Sequence, residues 1–363
     1  MDALSCFAPT YAAARRKFLE AAEAAGADIT SHVNPAMGPD GTDLACDVAS
    51  LGPADAKQVL MVNSSTHGAE GFFGSAVQVS WLRNRGLQPL PPDVKVVLVH
   101  AINPYGFAWV RRTNEDNIDI NRNFIDHDKG HPENPGYEAL HSALLPEDWN
   151  EESEAAFAAT AEAFIAEQGQ RAFEAALTGG QYAHADGIFY GGTEPCWSNR
   201  TIEAIAKETA GDADALVFLD LHTGLGSWGF IEIIHRQAPD GRGESWLKTA
   251  FGNHSLGSLA RGDSASTASS DGLVEVGVAR ALPGKRIVAC ALEAGTRPVP
   301  QVLRALRADN WLHVHGTLDS DLGRTIKEGM REAFGPPERD WREIVLVRTR
   351  QILDSALAQV SEA

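Results

Sequence analysis

Cysteine is scarce: Cys6, Cys46, Cys196 and Cys290 stand far apart, with no Cys-x-x-Cys pair. That excludes a thiolate zinc site and offers no disulfide framework, so reduced, buried thiols are expected. Long apolar runs are missing as well. No stretch has bilayer-spanning length, and the opening MDALSCFAPTYAAARRKF lacks a basic start followed by an apolar core. No membrane partner is expected and the chain is placed in the cytoplasm. Positive charge is short, with 31 Lys and Arg against 49 Asp and Glu and a net charge of -18. Such a chain repels polyanions and has no counterion-release term, so nucleic acid is excluded as a partner. Also absent are a Gly-x-Ser-x-Gly elbow, a Walker loop and a Gly-x-Gly-x-x-Gly turn after a strand, which removes the serine hydrolases and the common nucleotide folds.

What is present is enough apolar residue, 44% of the chain, to bury a sizeable core. The segment from Thr10 to Gly26 carries Phe18, Leu19 and Ala22 at helical spacing and reads as a first helix, followed by a polar stretch with Gly and Pro. Four short runs rich in Val, Leu and Ile read as strands covered on both faces: residues 58–64, 94–101, 215–221 and 286–292. Helical patterns lie over 72–84, 151–177, 202–209 and 302–314. The alternation predicts an α/β fold with a mixed, largely parallel central sheet flanked by helices, organised as a single domain over 1–363 with a helical insertion around 145–180.

Ligands of open α/β sheets gather outside the carboxyl ends of the strands. His67 and Glu70 (HGAEG) follow the first strand run, His222 (DLHTG) follows the third, and Glu293 (LEAGT) ends the fourth. Two His and a carboxylate are a recurring ligand set of catalytic zinc, which keeps a fourth position for water. A further carboxylate, Glu293, fits a general base for that water. A third cluster holds Asn103 to Gly106 (NPYG), Arg111 and Arg112, and Asp119 to Phe124 (DINRNF). Guanidinium groups there would anchor a carboxylate and steady an oxyanion, or else make surface ion pairs with Glu115, Asp116 and Asp126.

HGAEG, NPYGF, the arginine pair, DINRNF, DLHTG and LEAGT, in this order over roughly residues 10 to 320, resemble the zinc carboxypeptidase superfamily. That group includes carboxypeptidase A-like peptidases and the aspartoacylase and succinylglutamate desuccinylase amidohydrolases. The closest likeness is to a largely uncharacterised bacterial branch. The resemblance implies one Zn2+ per chain on His67, Glu70 and His222, with Asp119 orienting the first histidine. Asn121 and Arg122 would grip a substrate carboxylate, Arg112 or Arg111 would stabilise the oxyanion, and Glu293 would be the base. The implied substrate is a small carboxylate-bearing amide or a short peptide. The rival reading is a protein that keeps the fold and binds a metal or ligand without catalysis.

The sequence departs from the peptidases in one respect: residues 253–282 contain no tyrosine, whereas those enzymes carry one in a loop before the catalytic glutamate. Tyr190 (FYGG) is a candidate pocket residue or a packed turn residue. Asp220, two residues before His222, would orient that ligand or be satisfied by backbone amides. His127 and His131 read as a solvated loop, since Gly130 and Pro132 oppose the helix that would align them.

Overall fold

The computed structural model describes residues 3–84, 90–264 and 272–363. Residues 265–271 of the tyrosine-free stretch thus lie outside the described part. One eight-stranded sheet runs through the molecule in the order β1-β2-β4-β3-β5-β8-β6-β7. Its strands are β1 (Asp28–Met37), β2 (Asp43–Leu51), β3 (Gln58–Ser64), β4 (Val94–His100), β5 (Ala215–Gly224), β6 (Ile231–His235), β7 (Leu256–Ser258) and β8 (Arg286–Gly295). The central run β4-β3-β5-β8 is parallel, and antiparallel pairings of β2 with β4 and of β6 with β8 flank it. This is the α/β class with a mixed sheet that the alternation of runs predicted.

The four apolar runs are the four central strands. Every residue of β5 is buried, as are all of β3 after Gln58, because helices cover both faces. Four strands escaped sequence reading: β1 and β2, in the stretch taken as a polar connection, and the short β6 and β7, of five and three residues. β1 (DITSHVNPAM) is an edge strand, mostly exposed, and its pairing with β2 slips between Asn34 and Met37, around Pro35. Proline is tolerated in sheets at such edges and bulges.

The helices are α1 (Tyr11–Ala24), α2 (Gly71–Arg83), α3 (Pro104–Ala108), α4 (Pro135–Leu144), α5 (Glu151–Gln168), α6 (Gln170–Thr178), α7 (Trp197–Ala210), α8 (Arg242–Phe251), α9 (Val274–Ala281), α10 (Val299–Val314), α11 (Asp321–Phe334) and α12 (Arg339–Gln359). The tract predicted as one helix over 151–177 is two. Asn150 starts α5 with a reciprocal cap, accepting from the Ser153 amide at 2.9 Å while the Ser153 hydroxyl accepts from the Asn150 amide at 3.1 Å. Gly169, at φ 90, ends it and turns the chain into α6. Helices α4 to α6 share a core with α10 and α11 through Tyr137, Phe164, Phe173, Leu306 and Phe334.

The last two helices, not expected from the sequence, brace the strand ends. Trp341 of α12 is fully buried and its indole donates to the Gly295 carbonyl at 2.8 Å. The Thr223 hydroxyl donates to the carbonyl of Phe334 at 2.6 Å. These contacts pin the ends of β8 and β5, where Glu293 and His222 sit. All four cysteines are free and buried, as expected. Among the described residues no helix is long and apolar enough to cross a membrane.

Candidate metal centre and cavity

The order in which strands are added switches sides at β3, which has β4 on one side and β5 on the other, so a crevice opens beyond their carboxyl ends. His67 leaves β3 just before a turn of 3-10 helix over Gly68–Glu70 that leads into α2. The turn is held by the arginine pair's own backbone: the Gly68 amide donates to the Arg112 carbonyl at 3.1 Å and the Ala69 amide to Arg111 at 2.9 Å. Gly68 lies so close to Gly106 that an added Cβ would stand 1.9 Å from that residue's carbonyl carbon. HGAEG and NPYGF are therefore two halves of one packed corner, and the corner delivers Arg112 beside Glu70.

His67, Glu70 and His222 converge, with one donor atom from each within 4.8 Å of the others. Nδ1 of His67 lies 2.9 Å from Oε1 of Glu70, and Nδ1 of His222 lies 2.8 Å from Oε2. The opposite ring nitrogens meet other carboxylates: Nε2 of His67 is 3.2 Å from Asp119, and Nε2 of His222 is 2.6 Å from Asp220. A carboxylate on Nε2 keeps the proton there and turns the Nδ1 lone pair inward, the arrangement of histidine that binds a metal. The donor set of two inward nitrogens and one carboxylate, all buried, fits zinc.

The charged groups of the site partner one another. Burial alone would raise the Glu70 acid, yet the two imidazoles bring it down to about 2. Asp119 is likewise opposed by burial but held well below the carboxylate range by Arg112, His67 and Arg122. Burial would lower His222, and the Asp220 and Glu70 carboxylates raise it well above its ordinary value. Buried anions of this kind are costly unless fully partnered, and Asp220 is: it also accepts from Asn63 at 2.8 Å and from the Thr66 hydroxyl at 2.9 Å. Those partners are side chains, not the backbone amides considered from sequence. Thr66 and Asn63 carry no motif signal of their own.

Glu293 sits across from His222 in the β5–β8 pairing and lines the same cavity, of about 310 Å³. Its Oε1 accepts from the Leu225 amide at 2.8 Å. Burial, with Glu70 nearby, pushes its acid up to about 7. Of the two arginines, Arg112 faces this cavity, donating from Nε to Asp119 at 2.8 Å. Arg111 turns away to Asn117 at 2.7 Å and toward Asp309 at 3.8 Å. Neither pairs with Glu115, Asp116 or Asp126.

Arg122 lines the cavity, buried, and spends three donors on carbonyls: two on Thr178 at 3.1 and 2.6 Å and one on Asn121 at 2.8 Å. Two N–H groups of the guanidinium are left for a ligand. Asn121 accepts from the Val274 amide at 2.9 Å, which ties α9 to the site, and its Nδ2 is 3.5 Å from Nε2 of His222. Tyr190 does not reach the cavity. Its ring packs in the core with Ile118, Ile120 and Phe124, and its carbonyl accepts from the Asp119 amide at 2.7 Å. The neighbouring Phe189 lines the wall instead, its ring 5.1 Å from the Arg112 guanidinium and 5.8 Å from that of Arg122. Its φ of 57 reverses which side chain of the pair faces inward.

Two other histidine groups are weaker. His127 and His131 do meet, with ring nitrogens 3.3 Å apart, but in an exposed loop. His141, His184 and Asp186 also lie within ligand reach of one another. There the two rings stack at 3.7 Å and 20°, so their in-plane lone pairs run side by side instead of converging.

A family model described as "Protein of unknown function (DUF2817)" matches residues 7–348. The chain belongs to this family. No curated relative matches by sequence. Among solved structures it is similar to carboxypeptidase A from Helicoverpa armigera, at 13% identity and a TM-score of 0.49, covering 96% of this chain and 73% of that one. A second similar structure is the succinylglutamate desuccinylase from Chromobacterium violaceum, at 16% identity and TM-score 0.39, covering 92% and 75%. A third is a glutaminyl cyclase from Porphyromonas gingivalis, at 14% identity and TM-score 0.36, covering 96% and 98%. The first two are of the groups that the sequence motifs resemble. Likeness at this level does not choose among reactions.

Proposed function

We propose that this protein is a zinc-dependent hydrolase that cleaves an amide bond next to a carboxylate, in a small N-acyl amino acid or short peptide. The observation that supports this most is the facing of both Nδ1 atoms onto Glu70, each ring backed by a carboxylate, with Glu293 across the same cavity. His67, Glu70 and His222 would hold the ion. Zinc bound there supplies Lewis-acid polarisation of the carbonyl and acidifies water. Glu293 takes the proton of the attacking water and passes it to the departing amine. Arg112, fixed by Asp119, donates to the carbonyl oxygen as negative charge grows on it. Arg122, with Asn121, holds the substrate's carboxylate through the donors that the backbone leaves unused.

The test is metal content and turnover together. The purified protein should carry about one zinc per chain, as a single three-ligand site requires, and His67→Ala and His222→Ala should each lose it. N-acyl amino acids and dipeptides should be hydrolysed by the loaded wild type. Zinc retained in both variants would overturn the ligand assignment, and a loaded protein inert toward both substrate sets would overturn the reaction.

A further inference from the structure

The segment that delivers the arginine pair begins with a strained residue. Helix α3 closes in a Schellman turn, in which the Val110 amide donates to the Phe107 carbonyl at 3.3 Å and the Arg111 amide to Gly106 at 2.8 Å. The left-handed position of that turn usually takes glycine, but here it is Val110, at φ 51. A β-branched residue disfavours such a backbone and keeps it only when its surroundings impose it. Lys327 of α11 is placed to impose it. Its side chain is largely buried, and its ammonium donates to the Trp109 carbonyl at 2.7 Å, to Oδ1 of Asp309 at 2.5 Å and to Nε2 of His313 at 2.7 Å, with the Val110 carbonyl at 3.5 Å. All three donors of the ammonium are thereby spent. Burial and the Arg111 cation bring the His313 pKa down to about 3, so that ring is neutral and free to accept. Asp309, on α10, also lies 3.8 Å from Nε of Arg111. Helices α10 and α11 therefore grip residues 109–111 together.

We infer that Lys327 is a positioning residue for the proposed hydrolysis. By holding the Trp109 carbonyl it keeps Val110 left-handed, and the next two residues depend on that turn. Their carbonyls receive the Ala69 and Gly68 amides, at 2.9 and 3.1 Å, and so support the turn between His67 and Glu70. The second of them, Arg112, carries the guanidinium that lines the cavity beside Asp119. Without the ammonium, Val110 is free to relax toward an ordinary backbone, which rotates the peptide ahead of Arg111 and withdraws both supports. The catalytic consequence rests on the proposed function, through the role given to Arg112, whereas the hold of Lys327 on the turn does not. Arg122 is outside this path, since its guanidinium is fixed by the Thr178 carbonyl.

The experiment measures hydrogen exchange of the Gly68 and Ala69 amides in the protein as purified, alongside kcat and KM on N-acyl amino acids and dipeptides. It is run on wild type, Lys327→Met, Val110→Gly and the double variant. Lys327→Met should speed exchange of both amides by about tenfold or more, the scale of a hydrogen bond from a charged group. It should lower kcat by about 10²-fold, as a small displacement of a reacting group does, while KM for carboxylate-bearing substrates stays nearly unchanged. Glycine adopts the left-handed turn without strain, so Val110→Gly should restore most of both losses in the Lys327→Met background. A loss of general stability alone would not be recovered by removing the valine side chain. Melting temperatures identify any variant that has not folded; Lys327→Gln, which keeps an amide donor for the Trp109 carbonyl, then replaces Lys327→Met and should shift exchange in the same direction. Unchanged exchange in the folded Lys327 variant, or losses that Val110→Gly leaves in place, would overturn the inference. A wild type that hydrolyses neither substrate set sinks the hydrolase reading, and the exchange rates still decide the hold of Lys327 on the turn.

Discussion

His222 and Glu293 are direct partners in the parallel pairing of β5 with β8. The last turn of hydrogen bonding in the sheet therefore sets the spacing between one metal-binding residue and the proposed base, and the two cannot drift apart without breaking the ladder. Replacing Glu293 by Gln keeps the shape and the contact with the Leu225 amide region but removes the proton acceptor. Turnover should fall by about 10²–10⁴-fold while zinc stoichiometry is unchanged, measured by steady-state kinetics and elemental analysis on the same sample. A fully active variant would remove Glu293 from the mechanism.

Asp119 and Asp220 each present a carboxylate to the outer nitrogen of a proposed ligand. Asparagine at either position can offer the wrong end of its amide and leaves the imidazole's proton less firmly placed. Zinc affinity in Asp119→Asn and Asp220→Asn should weaken by about 10–100-fold, read by competition with a chelator. Asp119→Asn should also lower turnover at saturating zinc, since it loosens Arg112, whereas Asp220→Asn should recover once zinc is in excess.

Much of this was legible because chemistry and packing coincide in the motifs. The central strands are buried on both faces, so they read as continuous apolar runs, and the residues at their carboxyl ends could be assigned to one crevice. What was not legible has specific causes. β1 hides its strand character behind Pro35 and a polar exterior at the sheet edge. Which of Arg111 and Arg112 faces the cavity depends on the corner formed by Gly68 and Gly106, a contact that no spacing rule reports. The exchange of Tyr190 for Phe189 turns on a left-handed residue that is not glycine. Thr66 and Asn63 act through a tertiary neighbour, Asp220.

Arg112 and Arg122 should separate kinetically. Arg112 stands between Asp119 and Glu70, so Arg112→Ala should lower kcat by about 10²–10³-fold with little change in KM. Arg122→Ala should instead raise KM for carboxylate-bearing substrates by about 10–100-fold and leave their amidated analogues nearly unaffected. Equal losses on both substrate types would deny Arg122 its role as the carboxylate anchor.

Gly68 is the tightest point of the corner that carries His67 and Glu70. Gly68→Ala should cost about 3 kcal/mol, the upper part of the overpacking range, in urea unfolding, and should weaken zinc binding because the turn must shift. Gly329 in α11 has nothing within 4 Å of a new methyl. Gly329→Ala should stabilise the protein by about 0.5–1 kcal/mol, which separates a steric effect from a general intolerance of alanine.

His100 gives the protein a pH-dependent stability away from the centre. It is fully buried, stacked on Phe18 with ring centroids 4.4 Å apart; its Nε2 is 2.9 Å from the Ser75 hydroxyl and its Nδ1 has no partner. Burial lowers its pKa to about 4; Asp47 acts in the opposite direction, and the Arg15 cation, which pairs with Asp47, reinforces the lowering. The unfolded chain titrates the same ring near its ordinary value of 6.5. Between those values the unfolded state binds more protons, so the contribution of neutral His100 is complete above 6.5 and drains away as pH falls toward 4. On the scale of 1.36 kcal/mol per pKa unit, going from pH 7 to pH 5 should cost about 2 kcal/mol from this group alone. Urea unfolding of wild type and His100→Gln at both pH values isolates it. The variant starts less stable, but its loss between pH 7 and 5 should be smaller by about that amount. If both proteins lose the same stability over that interval, the imidazole of His100 is not what carries the dependence.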